Sequence, residues 1–197
     1  MVEAHARWLV ASSAIALVAV ASLAFLPPRA RWRFAPMPDG WRLLFAVLLA
    51  TQSGHVLEHT AQMVQLHILG LGGPQARGIV GALDLEWTHF AWSLWVLCAS
   101  ALLLRRFPHS RWLVLAVALG VWHELEHVVI MSTFLATGVV GTPGLLAAGG
   151  ALGGGLPISR PDLHFLYNAM ITIPLILAFR AETLRRARRA TLAWRTA

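Results

Sequence analysis

Residues 111–137 read RWLVLAVALGVWHELEHVVIMSTFLAT. The run is longer than the roughly 20 apolar residues that cross a hydrocarbon core. Its middle nevertheless holds His123, Glu124, Glu126 and His127. Ionisable groups at that depth are costly, so such a segment reads as a membrane helix that turns a polar face into a bundle. Taking His123 as the origin, Glu126 falls at about 300° and His127 at about 40°, on one helical face. Glu124 lies about 100° round, at the edge of that face.

The same H-x-x-E-H pattern occurs upstream. Residues 41–69 start with the strongly apolar RLLFAVLLA and then carry His55, Glu58 and His59, with Gln52 and Gln62 extending the polar face. Residues 80–104 hold Glu86-x-x-His89, an i, i+3 pair, with Ser93 one turn further on. Residues 161–179 bring His164, Tyr167 and Asn168 together on one side of a helix. Near the start, an apolar run covers residues 8–26. It is long for a signal-peptide core and lacks a small-x-small pattern at its end, so it reads as a retained first span.

These segments define the expected fold, an all-α polytopic transmembrane bundle of about five spans. Residues 1–180 form the helical domain and residues 181–197 a basic, amphipathic cytoplasmic tail. The chain has 197 residues, 57% hydrophobic and 13% charged, which leaves little for a separate soluble domain. The glycine-rich stretch 138–157 reads as an extracytoplasmic loop or a re-entrant segment covered by protein. Ser159 and Asp162 form a capping box at the start of the last span, and Pro174 is expected to kink it.

All sixteen basic residues are Arg, and the net charge is +7. They cluster at span ends, which argues for membrane orientation and against nucleic acid as a partner. Arg29, Arg31, Arg33 and Arg42, then Arg105, Arg106 and Arg111, then the Arg-rich tail all fall on one side. The positive-inside rule makes that side cytoplasmic and places the N-terminus outside. A bacterial inner membrane is the expected location. The helical rise then puts His55 and His59 roughly 20–27 Å, and His123 and His127 roughly 18–24 Å, from the cytoplasmic starts of their spans. Glu86 and His89 lie about 9–14 Å in from the outer side. All can meet in the extracytoplasmic half.

Four embedded glutamates would cost on the order of 10 kcal/mol without compensation. A divalent metal supplies it. The expected ligands are His55, Glu58, His59, Glu86, His89, His123, Glu126, His127 and His164, holding about two ions. Iron is favoured, with zinc or copper as alternatives. Glu124 and Tyr167 are the candidate catalytic residues. Gln65, His67 and Asn168 are placed at the entrance, and Asp84 and Asp162 at the interface. Cys98 is the only cysteine, which excludes a cysteine metal cluster.

The functional expectation is a di-metal oxidoreductase acting on a lipid or small apolar substrate. A membrane subunit or external donor would supply electrons. A zinc-dependent hydrolase and a non-enzymatic metal- or haem-binding subunit are the alternatives. A structural hydrogen-bond network or proton conduction would leave the cluster without metal.

Overall fold

The computed structural model describes residues 39–81 and 85–196, with side chains from Gly40 to Arg185. The expected span 8–26 and Asp84 lie outside the described residues. Four α-helices are present: α1, Asp39–Met63; α2, Glu86–Arg106; α3, Arg111–Thr137; and α4, Arg160–Thr196. A π-helical turn, Val64–Ile68, finishes α1. Among the described residues there is no strand beyond one isolated bridge, between Gly150 and Gly154.

Three helical stretches are long and apolar enough to cross a membrane: Glu86–Arg106, Arg111–Thr137 and Arg160–Arg185. Helix α1 has 25 residues but falls short on composition. Its C-terminal half gives Gln52, His55, Glu58, His59 and Gln62 to the interior, and all five are buried. The chain breaks where the sequence provides breakers. Gly138, at φ 72°, ends α3 with its N–H on the Phe134 carbonyl, as a left-handed glycine commonly does. Helix α4 runs through Pro174 and on to Thr196 as one helix of 37 residues.

Each helix packs on two neighbours in the cyclic order α1, α2, α3, α4 and back to α1. The core has two ends of opposite character. At the end away from the glycine-rich loops, Phe45, Leu48, Leu97, Leu103, Leu113, Val117 and Leu175 form a continuous apolar cluster. Phe45 meets Phe179 edge-on at a centroid distance of 5.2 Å. At the other end the interior is polar. The outer surface shows the reverse, with Leu43 65% and Ile173 58% exposed beside Leu57, Leu102, Leu115 and Ile176. An apolar outside around a polar inside is the arrangement a bilayer permits.

The apolar cluster also predicts a measurable difference from soluble cores. Phe45→Ala should destabilise the bundle by less than the about 3–5 kcal/mol usual for a buried Phe→Ala change. The unfolded reference is also apolar, so mainly packing is lost. Detergent-induced unfolding followed by tryptophan fluorescence checks this. A loss at or above that range would mean the core is one normally kept from water.

Candidate metal centre

Among the described residues, two groups of three histidines could each hold an ion: His55, His59 and His89, and His123, His127 and His164. Within each group one ligand atom per residue lies within 4.8 Å of the others. All six side chains are buried. Both groups are built to one plan. An H-x-x-E-H helix supplies two histidines from adjacent turns, and the helix after the next loop supplies the third from its first turns. Helices α1 and α2 make the first group, and α3 and α4 the second.

The spacing within each group fits a small ion. The Nε2 atoms of His59 and His89 are 3.3 Å apart, and those of His123 and His127 are 3.2 Å apart. Two ligands at about 2.0–2.1 Å on a tetrahedral ion stand about 3.3–3.4 Å from each other. The two groups also adjoin, with ring centroids of His89 and His127 at 6.0 Å and of His89 and His164 at 5.9 Å.

Neighbours fix the tautomers of two of these histidines. Gln62 donates its amide N–H to the Ala76 carbonyl at 2.9 Å. Its oxygen therefore faces His59 Nδ1, 3.1 Å away. Nδ1 must be the donor, which leaves the His59 Nε2 lone pair toward His89. His164 Nδ1 likewise donates to the Arg160 carbonyl at 3.1 Å, and its buried Nε2 has no protein partner among the described residues. Outer hydrogen bonds of this kind present the opposite nitrogen to a metal.

The carboxylates behave differently from the expectation. Glu58, Glu86 and Glu126 are buried, but the structure does not group them with the histidines. Glu58 accepts from the Val80 N–H at 2.9 Å and the Gly81 N–H at 3.2 Å. Glu126 accepts from the Leu145 N–H at 2.8 Å and the Leu146 N–H at 3.0 Å. In each H-x-x-E-H motif, then, the histidines face inward together while the glutamate clamps the loop that follows. Glycine makes both clamps possible. Gly78, at φ 80°, lies so close that a Cβ would collide with the Glu58 carboxylate. A Cβ on Gly144, at φ 72°, would come within 3.2 Å of Glu126 Cδ. Glu86 forms a two-point pair with Arg160, at 2.7 and 2.5 Å, and accepts from the Gly141 N–H at 2.9 Å. This joins α2, α4 and the long loop.

Glu124 is fully buried and bonded to Ser93 of α2. Its Oε2 has no partner among the described residues. Tyr167 packs its ring 5.2 Å from that of His123 and accepts from Trp122 Nε1 at 2.9 Å. Of the residues expected at the entrance, Gln65 holds both the N–H and the carbonyl of Gly78, each at 2.8 Å. His67 bonds Asp162 at 2.6 Å. Ser159 Oγ accepts from the Asp162 N–H at 3.3 Å, as the capping box implied, and its hydroxyl donates to the Asp162 carboxylate at 2.6 Å. Arg160 was not singled out from the sequence as a partner of Glu86. A cation offsets a buried glutamate, and Arg160, at the start of α4, reaches Glu86 at the start of α2.

No protein-family model matches the chain, and no curated protein or solved structure matches it either. The functional reading therefore rests on the geometry above.

The Glu86–Arg160 pair gives a direct test of the frame. Removing one partner of a buried ion pair typically costs about 3–5 kcal/mol. Arg160→Met should lower the detergent-unfolding midpoint accordingly, and adding Glu86→Gln should restore most of it. An unchanged midpoint in Arg160→Met would contradict the pairing.

Proposed function

We propose that this chain is a multi-pass membrane protein with a two-metal redox centre, each ion held by three imidazoles. The observation that carries the proposal is the pairing of two buried histidine triads across adjoining faces, with the nearby carboxylates engaged elsewhere. The Arg asymmetry supports a cytoplasmic C-terminus and a centre in the extracytoplasmic half.

The donor set moves the preferred metal from iron to copper. Di-iron bundles use bridging glutamates, whereas Glu58 and Glu126 are committed to loop amides. Neutral imidazole suits copper and zinc. An external one-electron donor or a membrane subunit would reduce the centre. Zinc is the second reading, because three histidines with an open fourth position are a catalytic zinc donor set.

Elemental analysis of detergent-purified protein, with an optical spectrum of the same sample, tests the proposal. About two copper ions per chain, with a spectrum that changes on anaerobic reduction, is the expected result. Two zinc ions and no redox change would select the second reading, and a metal-free chain after reconstitution would contradict both. His59→Ala and His127→Ala should each lose one ion, and the double variant both. Full metal retention in the folded double variant would also contradict the proposal. Gln62→Leu, which frees the His59 ring, should weaken binding of the first ion about 10–100-fold, measured by chelator competition. Unchanged affinity would remove Gln62 from any role in orienting His59.

A further inference from the structure

Beside the two triads lies a small cavity. His55 of one triad and His123 of the other both line it, together with Gln52, Trp92, Ser93 and Asn168. It has room for about one water-sized molecule. A lipid chain cannot enter a space of that size.

Its polar walls make two specific demands. Asn168 donates its amide N–H to the His164 carbonyl at 2.9 Å, which fixes its oxygen as an acceptor. Gln52 donates to that oxygen at 3.0 Å. The Gln52 Oε1 is then left without a donor among the described residues. Trp92 stacks on His55 with centroids 5.3 Å apart and planes 20° from parallel. Its Nε1–H is buried and has no acceptor among the described residues. A buried acceptor and a buried donor that stay unpaired are both unfavourable. One small molecule that accepts from the indole and donates to the amide satisfies both.

We propose that this cavity binds a protic oxygen ligand of one heavy atom, in the class of water or hydroxide, next to both metal ions. The proposal rests on the two-metal reading and narrows its substrate. The molecule that reaches the ions is a small oxygen species, in place of the lipid or small apolar substrate expected from the sequence. Trp92 is its hydrogen-bond donor and Gln52 its acceptor.

Cyanide is a suitable probe, because binding copper, zinc or iron through carbon would leave a single nitrogen to occupy the cavity, and its infrared stretch reports hydrogen bonding. As an anion it can accept from Trp92 but offers nothing to Gln52. In metal-loaded protein, Trp92→Phe should therefore weaken cyanide binding by roughly tenfold or more and shift its band. Gln52→Leu, which removes a facing oxygen, should leave binding unchanged or tighten it. Metal content should match the wild type in both variants. An unchanged band and affinity in Trp92→Phe, or a loss of affinity in Gln52→Leu, would overturn the assignment. If Trp92→Phe does not fold, the direction of the Gln52→Leu effect decides. Failure of the underlying reading is seen separately, as a wild-type chain that takes up no metal before cyanide is added.

Discussion

Six imidazoles and four carboxyl groups are buried inside a bundle whose outer surface is apolar. With lipid rather than water as the surround, each of these groups needs a partner supplied by the chain or by something the chain binds. That requirement orders the rest of the structure. Three carboxylates find their partners in the protein: two hold the amides of the connecting loops, and the third holds Arg160. The imidazoles find such partners only in part, His59 in Gln62 and His164 in the Arg160 carbonyl. They also present nitrogens to one another at 3.2 and 3.3 Å, a hydrogen-bonding distance that is also close to the spacing of two ligands on one small ion.

The division of labour within each H-x-x-E-H motif follows from helix geometry. The two histidines are one turn apart on the same stripe, so a third histidine from the neighbouring helix can complete a triad. The glutamate lies about 60° to the other side, close to the margin of the stripe. A glycine-rich loop that folds back over the helix end can reach it there. The loops are therefore part of the centre's construction. By engaging Glu58 and Glu126, they keep those oxygens away from the histidine triads, and an all-nitrogen donor set would favour copper or zinc over iron.

The helices and their inward faces were legible in the sequence because apolar length and a 3.6-residue period are local signals. The limits of α3 match residues 111–137 as read, and the polar faces of α1 and α2 are those that the His and Glu spacing implied. The partners of Glu58, Glu86 and Glu126 were not legible. A helical wheel gives the direction of a side chain but not what a distant loop brings to it. The N–H groups of Val80, Leu145 and Leu146 carry no signature in their residue types. The pairing of Arg160 with Glu86 was not legible either, because only the folded arrangement sets the two against each other. The composition of α1 also shows how a buried polar face lowers the apolar signal of a helix that packs with the others.

X-ray absorption on the metal-loaded protein tests the central claim most directly, because it reads the donor atoms around each ion. The account predicts three nitrogen donors per ion at about 2.0–2.1 Å, with the outer-shell scattering of imidazole rings. Any remaining position would be filled by a single light-atom ligand. A first shell dominated by carboxylate oxygens would mean that Glu58, Glu86 or Glu126 leaves its loop to bind metal, and would contradict it.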